Sequence, residues 1–177
     1  TSTMEKILIV VDMQNDFIDG TLGTAEAQNI IPAVVKEIES FEGDVYATFD
    51  THSRDYLETC EGRNLPVVHC IEGTNGWNIN EAVLTALEKN GYTPVLKPSF
   101  GSLTLPQLIK QNHNVNNMAI ELIGVCTDIC VVSNALILKA NFPEVEITVN
   151  SSCCAGVTPE SHKSALDTMR SCQIKVK

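Results

Sequence analysis

Short aliphatic runs recur along this chain and alternate with segments of helical periodicity. Six runs have the length and composition of buried strands: residues 6–12, 44–49, 94–97, 118–123, 145–149 and 174–176. Between them, apolar residues at helical spacing cover residues 27–40, 80–90, 103–111, 127–138 and 159–171. This alternation predicts an α/β fold, a three-layer sandwich in which a mainly parallel six-stranded sheet carries helices on both faces.

Length and composition narrow the class of protein further. With 177 residues, 44% of them hydrophobic, the chain can bury one self-sufficient core, and we predict a single domain over residues 1–177. A net charge of −10 without a long basic cluster argues against nucleic acid or an anionic membrane as a main partner. No apolar run approaches the roughly 20 residues that cross a bilayer. Seven scattered cysteines without a secretory signal predict reduced thiols in the cytoplasm.

Reactive side chains follow four of the predicted strands. Asp12 ends the first strand, Asp50 follows the second, Lys97 ends the third, and Cys130 lies in the turn after the fourth. In open α/β sheets, sites form beyond the carboxyl ends of the strands. An acid, an ammonium and a thiol in one pocket form a catalytic set, because the carboxylate can take the thiol proton and the ammonium stabilises negative charge. The alternative is that the three residues have separate structural roles, with Asp12 as a loop cap, Lys97 as a surface charge and Cys130 as a small core residue.

The turn that contains Cys130 has the pattern of a helix start. Gly124 ends the preceding strand, and Thr127 and Asp128 offer capping oxygens, so Cys130 is expected in the first turn of a helix. The positive end of a helix dipole lowers the pKa of a thiol and favours the thiolate nucleophile. Backbone amides in such a turn can receive an oxyanion.

Three motifs resemble those of the isochorismatase-like cysteine hydrolases and occur in the order found in that family. Residues 9–17, IVVDMQNDF, resemble the acid motif, and residues 95–102, VLKPSFGS, resemble the lysine motif. Residues 124–131, GVCTDICV, resemble the nucleophile motif, in which a Thr-Asp pair stands just ahead of the cysteine. The similarity covers essentially the whole chain.

The resemblance implies a role for each motif residue. Asp12 becomes the acid/base, Lys97 its charged partner and Cys130 the nucleophile. It also implies a cis peptide between Val125 and Cys126, with the amides of Cys126 and Cys130 forming the oxyanion hole. Cysteine at position 126 departs from the family pattern and places a second thiol beside the first.

The polar segment after the second strand contains candidate metal ligands. Asp50 and His52 stand two residues apart at a strand end with His69 farther on, a spacing that by itself indicates a metal only weakly. Residues 49–52, FDTH, and 66–73, PVVHCIEG, resemble the metal motifs of the nicotinamidase branch. There an aspartate and two histidines, or a glutamate in place of one histidine, hold the ion.

The resemblance requires a carboxylate to complete this set, because no histidine lies between His52 and His69. Glu61 is the first choice and Glu58 the second. Zinc, iron or manganese tolerates such mixed nitrogen and oxygen ligands.

The resemblance implies an amidase of the nicotinamidase type, which converts a small carboxamide to an acid and ammonia through a thioester. Phe17 and Trp77 are candidates to wall an aromatic substrate, although both could equally pack in the core or a lid. His113 and His162 are expected to be solvated. Enzymes that this chain resembles are commonly oligomeric, so we expect a homo-oligomer.

Two alternatives remain open at this stage. One is another carbon–nitrogen hydrolase of the same fold, which acts on a different small amide or a ureido compound. The other is a non-catalytic binding or assembly protein on this scaffold. A flavodoxin-like nucleotide binder is disfavoured, because no glycine-rich loop follows the first strand.

Overall fold

Six parallel strands form one sheet in a computed structural model that describes residues 3–177. They are β1 (Glu5–Val11), β2 (Asp44–Asp50), β3 (Thr93–Lys97), β4 (Met118–Val125), β5 (Glu146–Ala155) and β6 (Lys175–Val176). Their order is β3-β2-β1-β4-β5-β6, so the chain begins in the middle, builds to one edge and then returns to build the other. The order reverses between β1 and β4, where sheets of this kind place their sites.

Helices cover both faces of the sheet. They are α1 (Asn15–Ile18), α2 (Ala25–Asn29), α3 (Ile31–Ser40), α4 (Cys60–Asn64), α5 (Glu81–Asn90), α6 (Thr104–Asn112), α7 (Val132–Asn141) and α8 (Pro159–Ser171). Apolar residues of α2, α3 and α5 pack with Leu8 and Val10, whereas those of α6, α7 and α8 pack with Ile7 and Ile9. Successive β1 side chains therefore enter opposite cores. The predicted three-layer α/β fold is confirmed.

Several element boundaries differ from the sequence prediction, and for two of them the physical reason is plain. The single helix expected over residues 27–40 is two helices, α2 and α3, and Pro32 stands in the first turn of α3, where its missing N–H costs no hydrogen bond. β5 continues six residues past its predicted end. Its polar Ser151 is held there by a hydrogen bond from its N–H to the carbonyl of Lys177 at 2.8 Å.

The polar segment over residues 51–78 also has structure of its own. It contains a helical turn, Tyr56–Glu58, followed by α4. Across residues 3–177, no helix has the length and apolar character needed to cross a membrane.

Candidate active site and metal centre

Asp12 projects into the site from the carboxyl end of β1. Its φ of 50° lies in the left-handed region, so the chain leaves the strand direction at this residue. Its N–H donates to the carbonyl of Thr48 at 3.2 Å, and the Thr48 hydroxyl donates to Asp12 Oδ1 at 2.6 Å. Asp12 is completely buried, and these bonds fix the direction of its carboxylate.

Lys97 connects Asp12 to Cys130. Its Nζ lies 2.7 Å from Asp12 Oδ2 and 3.4 Å from Cys130 Sγ, and it donates to the carbonyl of Ser99 at 3.0 Å. Only 1% of Lys97 is exposed, although it belongs to the edge strand β3. The structure therefore brings together the acid, the ammonium and the thiol that the sequence singled out.

Cys130 lies in a π-helical turn over Thr127–Val131, between β4 and α7. The carbonyl of Cys126 accepts the N–H groups of Ile129 and Val131 at 3.1 and 3.0 Å, which closes the turn on either side of Cys130. The peptide bond between Val125 and Cys126 is cis, as the resemblance implies. π-Helical turns of this kind are frequent at functional sites.

The predicted capping by Thr127 and Asp128 is wrong. The Thr127 hydroxyl instead shares a hydrogen bond with His162 Nδ1 at 2.7 Å, and the Asp128 carboxylate accepts the N–H of Val157 at 3.1 Å. Both side chains therefore tie the turn to the segment that begins α8. Sequence spacing could not reveal this, because the partners lie about 30 residues away.

Burial determines how the catalytic set is protonated. Burial and the nearby Asp12 carboxylate raise the pKa of the Cys130 thiol, against the opposing effect of Lys97. The expectation of a lowered thiol pKa is therefore wrong for the resting site. Burial also raises the pKa of Asp12, and Lys97 opposes this shift. Although burial disfavours its charge, Lys97 has a raised pKa because Asp12 and Cys130 surround it, so Lys97 holds its proton between the two side chains.

Asp50, His52, Glu61 and His69 form a second group of side chains. Their ligand atoms all lie within 4.8 Å of one another. Asp50 Oδ2 is 3.0 Å from His52 Nε2 and 3.4 Å from His69 Nε2, and Glu61 Oε2 is 3.5 and 3.7 Å from the same two nitrogens. Two carboxylates and two imidazoles around one point are a donor set that fits a divalent metal ion. Among the described residues, this group does not include Glu58.

Three parts of the chain supply this ligand group. Asp50 ends β2, and Glu61 lies in the first turn of α4. His69 Nδ1–H donates to the carbonyl of Val67 at 2.7 Å, which leaves Nε2 facing the centre. The ring of Tyr56 packs against both imidazoles, with centroids 4.7 and 4.9 Å away.

Sequence reasoning missed α4 and the residues that seat it. A Cβ on Gly62 would lie 2.0 Å from the carbonyl oxygen of Tyr56, so the glycine allows α4 to approach the preceding turn. The Thr59 hydroxyl caps α4 by accepting the N–H of Gly62 at 3.0 Å. Thr59 was the available signal, because threonine is a common residue at helix starts.

Asp50 joins the two groups of side chains. While one of its oxygens faces the histidines, Oδ1 lies 3.6 Å from Lys97 Nζ. Burial opposes its ionisation, but hydrogen bonds with His52 and His69 and the charge of Lys97 together lower the pKa of Asp50. The candidate metal centre and the candidate catalytic set are therefore adjacent and share one carboxylate contact.

The two candidate substrate-wall residues lie in different surroundings. The ring of Phe17 is 5.5 Å from that of His69, beside the candidate metal centre. The ring of Trp77 packs against that of Phe49 with centroids 5.0 Å apart, and Trp77 Nε1–H donates to the Thr51 hydroxyl at 3.0 Å. It also lines an open cavity of about 870 Å³ whose wall contains no residue of the catalytic set. Contact of either ring with substrate stays a prediction.

The expectation that His113 and His162 are solvated is wrong. The side chain of His113 is 1% exposed, with Nδ1 3.0 Å from the Glu5 carboxylate and Nε2 2.9 Å from the Tyr46 hydroxyl. His162 is partly buried against Thr127. Both residues lie near the ends of helices that pack on the sheet, where polar groups from distant segments meet them.

This six-stranded parallel sheet with helices on both faces is that of an isochorismatase-like α/β fold. The chain belongs to the isochorismatase family, because the family model described as Isochorismatase domain matches residues 6–176.

Similar proteins support this assignment. The chain is 30% identical over 173 residues to the isochorismatase family protein PncA of Bacillus subtilis (strain 168), which covers 92% of this chain and 93% of that protein. The crystal structure of nicotinamidase/pyrazinamidase PncA from Bacillus subtilis has a TM-score of 0.86 at 26% identity, covering 98% of this chain and 99% of that one. A pyrazinamidase of Pyrococcus horikoshii in complex with zinc has a TM-score of 0.79 at 26% identity, with 98% of each chain covered.

Proposed function

We propose that this protein is a cysteine-dependent amidohydrolase of the nicotinamidase type, which cleaves a small carboxamide to a carboxylic acid and ammonia. The observation that carries the proposal is the position of Lys97 Nζ, 2.7 Å from Asp12 Oδ2 and 3.4 Å from Cys130 Sγ in a buried site. Similarity to structures of nicotinamidase and pyrazinamidase supports the substrate class.

The first half of the reaction forms a thioester. Asp12 takes the proton of the Cys130 thiol as the sulfur attacks the carboxamide carbon. The amides of Cys126 and Cys130 stabilise the oxyanion of the tetrahedral intermediate. When this intermediate collapses, Asp12 returns the proton to the departing nitrogen, and ammonia leaves.

The second half releases the acid. Asp12 takes a proton from water, and the resulting hydroxide attacks the thioester carbon. The tetrahedral intermediate then expels the Cys130 sulfur, which recovers its proton from Asp12. Lys97 keeps its charge throughout and stabilises whichever neighbour is negative. Because the thiol and Asp12 exchange one proton, a resting neutral thiol suits this cycle.

Asp50, His52, Glu61 and His69 would hold a divalent ion such as zinc, iron or manganese. When bound, such an ion supplies a Lewis-acid position for a ring nitrogen of the substrate or for water. The chain's own contribution is the orientation of these ligands, with Tyr56 packed against both imidazoles. Phe17, beside His69, is our candidate wall for an aromatic ring.

Location and assembly are also proposals. All seven cysteines are free thiols, which supports a reducing compartment such as the cytoplasm. Leu96, Phe100 and Leu103, all within six residues of Lys97 along the chain, expose 45%, 41% and 76% of their surface, which supports burial of this segment in a homo-oligomer. We propose that residues 1–177 act as one domain in that assembly.

Ammonia release from nicotinamide, pyrazinamide and a panel of amides and ureido compounds tests the proposed function. Cys130→Ala is expected to abolish release, and Asp12→Asn to lower kcat/KM by about 10²–10⁴-fold. The control is Cys172→Ala, since Cys172 is exposed. Hydroxylamine should trap the thioester as a hydroxamate only when Cys130 is present.

Each alternative has its own outcome in this experiment. Turnover that survives Cys130→Ala would remove the cysteine from the mechanism. Activity on ureido compounds alone would support the other carbon–nitrogen hydrolase. A folded protein that is inactive on every compound would support the non-catalytic interpretation.

A further inference from the structure

Gln14 occupies a place in the sheet where a strand residue is missing. β1 and β2 pair in parallel up to Val11 and Thr48, and the N–H of Asp12 still reaches the carbonyl of Thr48. At Asp12 the chain then leaves the sheet, whereas β2 continues to Asp50. The backbone of Asp50 therefore extends past the end of its neighbouring strand.

The side-chain amide of Gln14 takes the place of that absent strand residue. The N–H of Asp50 donates to Gln14 Oε1 at 2.9 Å, and Gln14 Nε2 donates to the carbonyl of Asp50 at 2.9 Å. Nε2 also donates to the carbonyl of Trp77 at 2.9 Å. Gln14 is completely buried, so water cannot replace it.

The position of Asp50 matters because its carboxylate faces two ways. Oδ2 lies 3.0 Å from His52 Nε2, and Oδ1 lies 3.6 Å from Lys97 Nζ. A shift of the Asp50 backbone would lengthen both contacts together. Mutation of a group that orients a metal ligand typically costs about 10–100-fold in metal affinity.

We propose that Gln14 is a positioning residue, which completes the hydrogen bonding of β2 and holds the Asp50 carboxylate between the candidate metal centre and Lys97. The metal half of this inference rests on the proposed function, and the backbone half does not. Only a neutral amide of this length offers one acceptor and two donors in the right places. Glutamate lacks the donors, methionine has no donor and only a weakly accepting sulfur, and asparagine is one methylene shorter.

The first test measures zinc affinity of the apoprotein by competition with a chelator. Gln14→Met is expected to weaken zinc binding by about 10–100-fold. Gln28→Met is the matched control, because Gln28 is exposed and its amide donates to the carbonyl of Ile18 at 3.1 Å instead. Ile109→Val, in the buried core, controls for stability alone: it should lower Tm and leave zinc affinity unchanged.

The second test needs no metal. Hydrogen exchange of the apoprotein, followed by NMR, should show the Asp50 amide exchanging at least 10-fold faster in Gln14→Met, with the Ala47 amide of the same strand unchanged.

If the wild type binds no zinc, the proposed metal centre fails, and amide exchange alone then decides the role of Gln14. Unchanged exchange of the Asp50 amide in Gln14→Met would overturn the inference. So would an unchanged zinc affinity in Gln14→Met when the wild type binds zinc. Should Gln14→Met not fold, Gln14→Glu replaces it; that variant keeps the acceptor, loses both donors and is expected to lose zinc affinity similarly.

Discussion

Lys97 is the residue on which the charges of the site depend. Its ammonium contacts two carboxylates, Asp12 at 2.7 Å and Asp50 at 3.6 Å, and lies 3.4 Å from the Cys130 sulfur. A buried ammonium loses several kcal/mol of hydration, and here the carboxylates offset that loss. Lys97 in turn stabilises the carboxylate form of Asp12, because its charge opposes the rise that burial causes in the pKa of Asp12.

Replacement of Lys97 by methionine tests this relation. Without the ammonium the pKa of Asp12 rises further, so Asp12 stays protonated to higher pH and cannot take the thiol proton there. The acidic limb of kcat/KM against pH should therefore move to higher pH, with a lower rate below it. Lys110→Met, at an exposed lysine, should leave the profile unchanged. An unmoved acidic limb in Lys97→Met would show that Asp12 is not the group that titrates.

Among the elements, β4 lies close against β1 at Gly124. Gly124 has a φ of +118°, and a Cβ there would lie 2.2 Å from the carbonyl oxygen of Val11. The glycine thus satisfies two requirements, a backbone conformation that side chains rarely adopt and a close strand contact just ahead of the nucleophile turn.

The contact predicts a large stability loss in Gly124→Ala. Gly91→Ala is the matched comparison, because Gly91 has a φ of +91° but nothing within 4 Å of its added Cβ. Conformational strain alone costs about 1–3 kcal/mol at either site, and the collision should add at least about 1 kcal/mol at Gly124. Urea unfolding measures both. Equal losses would mean that the sheet relaxes around the added methyl group.

Polar contacts tie the start of β1 to the segment after α6. The Glu5 carboxylate accepts the N–H of Asn114 at 2.6 Å and lies 3.0 Å from His113 Nδ1. These contacts lower the pKa of Glu5 below its ordinary value of 4.5. A lowered pKa in the folded state means that the stabilisation is complete above pH 4.5 and is lost as the pH falls through the lower folded value.

Glu5→Gln should reproduce that loss at neutral pH. Its Tm is expected to lie below that of the wild type at pH 7, and the difference should shrink as the pH falls below about 4.5. Glu72→Gln, at an exposed residue, should show no such trend. Thermal unfolding between pH 3 and 8 measures the difference, and a gap that widens in acid would contradict the assignment.

At the scale of the whole molecule, the candidate metal centre joins segments that the sheet alone does not hold together. Asp50 and His52 come from the end of β2, Glu61 from α4 and His69 from the loop beyond. An ion bound by all four would therefore stabilise the folded state and fasten residues 51–78 to the sheet.

Zinc added to the apoprotein should raise its Tm. Free zinc at 100 times Kd stabilises by about 2.7 kcal/mol, which corresponds to about 5–10 °C for a chain of this size. Glu61→Gln should lose most of this rise and Glu58→Gln should keep it. A rise of equal size in both variants would remove Glu61 from the ligand set.

Much of the fold and the candidate site could be predicted locally. The alternation of aliphatic runs and helical periodicity predicted the sheet and its layers, and the motif residues Asp12, Lys97 and Cys130 lie within contact of one another as their positions at strand ends implied. Element ends were less predictable: Pro32 divided one expected helix, and Ser151 stayed in β5 through a partner at the far end of the chain.

The sequence by itself determined the six strands and most of the helices, because side-chain periodicity and turn residues act over a few neighbours. It also determined which reactive residues stand at strand ends. Only the tertiary structure decided the raised pKa of Cys130, the partners of Thr127 and the amide of Gln14 in place of a strand residue. Burial and hydrogen bonding between segments 30 or more residues apart produce these features, and such contacts exist only once the sheet has assembled.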